Sequence, residues 1–353
     1  MRRDWDVIIA GASFAGLAAA LELARAGRVL LLDAEEIGDH QTSACATPVE
    51  VLRRLQLEET EEQRHEELIF HLPGGGVRHF RPRLPFATFD YRAFCRGLAA
   101  RGDAEFLRTR VVGLEGDRVL TREGEFTAPV LIDASGWRAA LGVSLDPGQV
   151  RVRDRAVGLE ARVPRQNQGL HFWIGDGIAR DGYLWDFPAG DHSRVGLLRY
   201  RSGGGLKPRL VQFLEQEVGD LPLHGGVLTS RHREPVQGRV MIVGDAAGQC
   251  LPLSGEGIRP ALCFGQIAGR LARQVVEGRR PLEDALACYR RQAMRPRLIY
   301  RFLALIERTM PLLPDPLIGP MTWYFGSGPM APACEAAYWR LAPPEALRPR
   351  ALP

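Results

Sequence analysis

Two acidic residues, Asp33 and Asp245, each close an apolar run beside a glycine-rich turn. The first run is RVLLLD and the second is RVMIVGD. Upstream of Asp33, the stretch GASFAG places Gly11, Ser13, Ala15 and Gly16 between the apolar run DVIIA and the alanine-rich stretch LAAALELARAG. This order of residues is suited to holding a diphosphate. Gly11 permits a tight strand-to-helix turn, and Gly16 lets the helix lie close to the strand. The helix N-terminus then offers free N–H groups and a partial positive charge. Ser13 replaces the middle glycine of such a turn and is small enough for close approach. Asp33 follows Gly11 by 22 positions, where a carboxylate accepts hydrogen bonds from an adenosine ribose and repels a 2′-phosphate. A serine-hydrolase elbow would need glycine at position 15, which is Ala15.

The second turn, GDAAGQCLPLSGEGI from Gly244 to Ile258, distinguishes the dinucleotides. FAD carries a ribitol chain between diphosphate and ring, whereas NAD does not. Asp245, at the end of a returning strand, can accept a hydrogen bond from a ribitol hydroxyl. Pro252, Gly255, Glu256 and Gly257 lead into a helix. The first N–H groups of that helix, at Gly257 and Ile258, would face flavin N1 and O2, where negative charge collects on reduction. The two turns, more than two hundred residues apart, are expected to grip one FAD.

Around these turns the sequence predicts a strand–turn–helix–strand unit at the N-terminus, a helix over 49–57, and a hairpin around Gly74, Gly75 and Gly76. It further predicts a helix from Tyr91 to Gly102, short strands between Glu105 and Ile132, and a mostly antiparallel sheet over 151–200. A helix should follow the glycine run at 203–205, and a long helix should run from about Pro260 to Gly278. The expected class is α/β. A Rossmann-like FAD-binding domain (1–48, 88–150 and 236–290) is interrupted by a β-rich substrate domain (49–87 and 151–235), and a helical region (291–353) follows.

Three stretches carry a family resemblance. GDAAGQCLPLSGEGI resembles the second FAD motif of the geranylgeranyl reductase family, flavoproteins of the p-hydroxybenzoate hydroxylase fold with a glutathione reductase type 2 FAD domain. GYLWDFPAG at 182–190 is similar to that family's Tyr-x-Trp-x-Phe-Pro segment, and Cys45 falls where the family has Cys-Gly. The likeness covers about residues 5–290. It implies that Ala15, Asp33, Cys45, Ala46, Arg92, Val112, Asp245, Gly257 and Ile258 touch FAD. It also implies reduction of carbon–carbon double bonds in prenyl chains by hydride transfer from reduced flavin N5, with NAD(P)H or ferredoxin as electron donor. Cys45-Ala46 departs from the family pattern. LIDASGW at 131–137 is more like the flavin-dependent halogenases, so a halogenase or monooxygenase is the alternative reading. That alternative calls for a lysine downstream of the second strand, and the chain has no lysine before Lys207, its only one. Hydroxylases would show Asp-Gly followed by serine and arginine; here Ser135 precedes Gly136, and Ala139 takes the serine position. A redox-neutral or lipid-binding flavoprotein is a third reading.

Tyr183, Trp185 and Phe187 alternate along a strand and therefore share a face. That face could line an apolar tunnel over the flavin, where aromatic rings would stabilise positive charge in the transition state. It could equally pack on its own core. Cys45 has three readings: it positions the flavin, donates a proton, or fills the core as a small hydrophobe. Tyr183 is the second candidate proton donor.

The 353 residues are 45% hydrophobic with a net charge of +4, which points to neither a nucleic-acid binder nor a trap for acidic ligands. The six cysteines form no Cys-x-x-Cys pair and the eight histidines no helical pair, so no metal is expected. MRRDWD leads at once into the first strand with no signal peptide, and no apolar run reaches membrane-spanning length. A cytoplasmic protein with a hydrophobic small-molecule or lipid substrate is expected. The segment RRQAMRPRLIYRFLALIERTMPLL, kinked at Pro296, reads first as a helix docked on the FAD domain with its arginines in water. Its second reading is a helix lying on the cytoplasmic face of an anionic membrane.

Overall fold

The computed structural model describes residues 5–151, 155–175, 180–201, 205–215, 222–229 and 231–348; Gly203 and Gly204 of the glycine run lie outside them. Its organising element is a six-stranded sheet. Val7–Ala10 sits near the middle, paired in parallel with Val29–Asp33 on one side and Val130–Asp133 on the other. Glu105–Arg108 and Val240–Ile242 extend it in parallel, and Val236–Gln237 closes one edge antiparallel. The central strands are apolar along their whole length because helices cover one face and the meander Val111–Thr127 packs on the other. Strand order reverses at Val7–Ala10. The carboxyl ends of the strands around such a reversal frame a crevice for a nucleotide.

The first helix, Phe14–Leu23, and the long helix, Ile258–Val276, pack backbone against backbone on one face of this sheet. Glycine makes the approach possible. A Cβ at Gly265 would strike the Ala15 carbonyl, one at Gly269 the Ala19 carbonyl, and one at Gly16 the Gly11 carbonyl. The residues that admit this contact begin a few positions after each glycine-rich turn, so closing the helix pair also closes the distance between the turns.

The β-rich region is a seven-stranded sheet in the order Leu223–Leu228, Ala156–Val163, His192–Arg199, Gly182–Ala189, Leu170–Trp173, Leu68–His71 and Val77–Phe80. It is antiparallel except where Leu170–Trp173 runs parallel to Leu68–His71. The hairpin expected around Gly74 forms its edge. A small sheet of Ala46–Pro48, Phe86–Phe89 and Glu61–His65 joins the large sheet to the FAD-binding part.

Four helices follow: Leu282–Met294, Arg297–Thr309, Asp315–Gly326 and Ala331–Leu341. Pro296 separates the first two, as a ring without an N–H must. The tail then returns to the long helix, where Arg259 donates to the Ala342 carbonyl at 2.9 Å and Gln266 to the Arg348 carbonyl at 3.0 Å. The docking expected of Arg297–Thr309 is only partial. Tyr300 is buried and donates to the Gln249 carbonyl at 2.7 Å, whereas Leu298, Phe302 and Leu305 face solvent.

The helix contact generates a test. Gly265→Val should destabilise the protein by ~1–3 kcal/mol, because the added methyl groups meet backbone that cannot yield. Thermal melting with and without FAD should show a lower midpoint and weakened FAD uptake together. An unchanged midpoint would disprove the close contact.

Candidate active site

A single cavity of about 1600 Å³ runs from Asp33 at one end, past the turns at Gly11 and Gly244, to the aromatic face of the seven-stranded sheet and the C-terminal helices. Gly11 enters it in a left-handed conformation, φ 108°, that a side chain would disfavour. Ser13 forms the N-cap of the first helix, and its Oγ lies 3.1 Å from the Tyr91 hydroxyl. Ala15 lines the cavity, while Gly16 stands behind it and serves the packing. Asp33 accepts from the Ala12 and Glu35 amides at 2.7 and 3.0 Å, which fixes its carboxylate at the cavity's end.

Gly244 and Asp245 occupy the opposite wall. No hydrogen bond reaches the Asp245 carboxylate among the described residues, and burial raises its pKa to about 6, partly opposed by Arg233. A half-buried acid without a partner is costly. A ribitol hydroxyl would relieve that cost, so this wall fits FAD. Gly255, Gly257 and Ile258 line the next stretch, and the first amides of the long helix have no partner within it. Pro252 is buried behind the loop and outside the cavity wall.

The loop is clamped from the seven-stranded sheet and from the helix Arg297–Thr309. Tyr183 donates to the Ser254 carbonyl at 2.6 Å, Tyr200 to the Leu253 carbonyl at 2.8 Å, and the Leu253 amide to Glu307 at 3.0 Å. Glu256 is fixed by Arg259, a buried guanidinium that stacks against Tyr338 and Trp339.

Cys45 and Ala46 line the cavity between the two turns. Cys45 is buried in a left-handed conformation, φ 53°, and its thiol donates to the Ser43 carbonyl at 3.2 Å. Burial pushes the thiol pKa up to about 12, against the pull of Arg194. Burial also raises the Tyr183 hydroxyl. Both groups are held protonated, in hydrogen bonds to carbonyls, and would release a proton reluctantly.

Arg92 and Val112 have side chains outside the cavity wall. Arg92 is exposed and pairs with Asp39 at 3.3 Å, and Val112 is 58% exposed while its neighbour Val111 faces the cavity. Tyr183, Trp185 and Phe187 do share the cavity face, together with Phe172 and Leu198. Lys207 is exposed on the helix Leu206–Leu214 and does not line the cavity.

Several residues went unnoticed in the sequence. Asp133, in LIDASGW, is buried and accepts from Ser135, Leu141 and Gly142 at 2.6–3.1 Å, so this acid ties its own loop rather than a ligand. Glu160, His224 and Arg194 flank the aromatic face. Glu160 and Arg194 stand at inward positions of the period-two pattern, which is the one sign the sequence carries of them.

The architecture is the fold shared by FAD-dependent reductases, halogenases and monooxygenases. Its coordinates superpose on a geranylgeranyl bacteriochlorophyll reductase-like protein from Thermoplasma acidophilum with a TM-score of 0.82, at 17% identity over 97% of each chain. A flavin-dependent brominase follows at a TM-score of 0.72, 17% identity, covering 97% of this chain and 94% of that one. In sequence, the chain is 29% identical to a digeranylgeranylglycerophospholipid reductase of Methanosarcina acetivorans over 78% of its own length and 77% of the relative's. No family model matches. The flavoprotein fold and the reductase resemblance expected from the sequence are both borne out.

Asp245 offers a pH test with a definite sign. A carboxyl whose pKa is raised by folding stabilises the fold while protonated and loses that contribution as pH rises through about 6. FAD-free Asp245→Asn should therefore melt above wild type beyond that pH, and alike well below the usual carboxyl range. With FAD the order should reverse, and affinity should fall about tenfold because a charge-assisted hydrogen bond is lost. Equal affinity in flavin titrations would remove Asp245 from the site.

Proposed function

We propose that this chain is an FAD-dependent reductase that saturates carbon–carbon double bonds in a prenyl-bearing lipid. The observation that carries the reading is the continuity of one cavity, from the unpartnered Asp245 wall to an apolar chamber lined by Phe172, Trp185, Phe187 and the C-terminal helices. When reduced, the flavin supplies the hydride. The chain's own residues do the rest. Asp33, Asp245 and the two helix N-termini hold the cofactor. Cys45 and Ala46 pack beside it, and Tyr183 fixes the loop that faces it. Trp185 and Phe187 present ring faces to a substrate carbon that gains positive charge. NAD(P)H or ferredoxin provides the electrons. The halogenase alternative lacks a lysine in the cavity. The relatives named digeranylgeranylglycerophospholipid reductases support the lipid class.

A lipid substrate also needs a route. No described helix is long and apolar enough to cross a membrane. Leu298, Phe302 and Leu305 form one exposed stripe on Arg297–Thr309, with Arg297, Arg301 and Arg308 beside it, and Phe302 also reaches the cavity wall. Such a helix can rest on an anionic bilayer and pass a chain inward without crossing water.

Two experiments test these statements. Anaerobically reduced, FAD-loaded protein should turn yellow on mixing with a digeranylgeranyl glycerophospholipid, and the lipid should gain two hydrogens per flavin. Flavin that stays bleached until oxygen enters would refute the reductase reading. For the membrane route, vesicles containing phosphatidylglycerol should sediment the protein, and Phe302→Ser with Leu305→Ser should weaken that binding. Protein left in the supernatant would refute the route alone.

A further inference from the structure

Strand register places Trp185, Gly196, Glu160 and His224 in one row across four neighbouring strands. All four belong to the face that roofs the cavity, and Trp185, Glu160 and His224 line it directly. Gly196 has a visible reason to be glycine: any Cβ there would strike the Trp185 ring. The indole therefore lies flat across the intervening strand, and its Nε1 donates to Glu160 Oε2 at 2.8 Å. Glu160 is 2% exposed. Its Oε1 lies 2.7 Å from His224 Nε2, yet the two are not aligned as a hydrogen bond. An acidic oxygen in an apolar chamber is thus left without an aligned donor. Folding alone does not account for that, since a buried carboxylate is stabilised by satisfying both oxygens.

The charged and titratable neighbours come from every packed element. Arg194 stands on His192–Arg199 and is held by Glu62 at 2.6 Å. Cys45 lies in the loop beneath, and His224 lies on the outer strand. Cys45 and Tyr183 keep their protons, as described above. His224 keeps about a quarter of its side chain accessible.

We propose that Glu160 is the proton source for alkene reduction and that His224 replenishes it. The inference rests on the reductase reading. In the step, the carbon–carbon π bond breaks and two C–H bonds form. One alkene carbon accepts a hydride from the dihydroflavin, which is oxidised. The other carbon takes the proton of the Glu160 carboxyl, whose O–H electron pair remains on the carboxylate. His224 then passes a solvent proton to Glu160. Trp185 is a positioning residue here, because its N–H fixes the carboxyl's second oxygen.

Glu160→Gln keeps an acceptor for Trp185 and removes the transferable proton. It should bind FAD with an unchanged spectrum and reoxidise with oxygen at the wild-type rate. Reoxidation by the prenyl lipid should slow by roughly 100-fold or more, with partial recovery in Glu160→Asp. A second readout needs no turnover. The oxidised, FAD-loaded protein, with Asp33 and Asp245 occupied by the cofactor, should bind geranylgeranylammonium more tightly than geranylgeraniol by about tenfold, and Glu160→Gln should abolish that preference. Lipid-dependent reoxidation at the wild-type rate in Glu160→Gln would overturn the proposal. Wild-type protein inert toward every prenyl lipid would instead overturn the reductase reading, and an ammonium preference surviving in the variant would by itself exclude Glu160 from the cavity's chemistry.

Discussion

The site exists because two helices far apart in the chain can touch backbone to backbone. Phe14–Leu23 and Ile258–Val276 meet through Gly265 and Gly269, with Gly16 pressed against the Gly11 carbonyl. Each helix starts at a glycine-rich turn, so the depth of this contact sets how far the diphosphate end of the cavity stands from its ring end. A wider spacing would leave two half-sites. The remaining structure refines this junction. The parallel strands aim both turns at one crevice, and Tyr183 and Tyr200 reach over from the second sheet to hold the loop at Leu253 and Ser254.

Three acids on or beside the cavity show how local bonding decides role. Asp133 receives several donors from its own loop and is spent on structure. Asp245 receives none and is left free to accept from the ribitol chain of the proposed FAD. Glu160 has one oxygen fixed by Trp185 and the other facing His224 out of alignment. The number of surrounding donors thus separates a structural brace, Asp133, from the acid proposed to bind FAD and the acid proposed to carry a proton.

Much of this was legible in the sequence where the determinants are local. A turn such as GASFAG carries its strand, its glycines and its helix within a dozen residues, and Gly244–Ile258 does likewise. The alternation of Tyr183, Trp185 and Phe187 gave their common face correctly because side-chain direction in a strand depends only on parity. The Glu160 row was not legible. Its four members come from strands whose antiparallel register depends on turns and packing that no single segment encodes. Likeness alone supplied Arg92 and Val112, and likeness conveys position without orientation; neither side chain lines the cavity. The sequence left Arg297–Thr309 between docking on protein and lying on a membrane, since an amphipathic pattern reads the same whether its apolar face meets protein or lipid.

The most direct test of the junction is calorimetric titration of the FAD-free protein with FAD, ADP and riboflavin. The account predicts one FAD per chain. ADP and riboflavin should each bind more weakly, each should compete with FAD, and neither should displace the other, because they occupy opposite ends of one cavity. A protein that takes up no FAD, or in which ADP and riboflavin exclude each other, would contradict it.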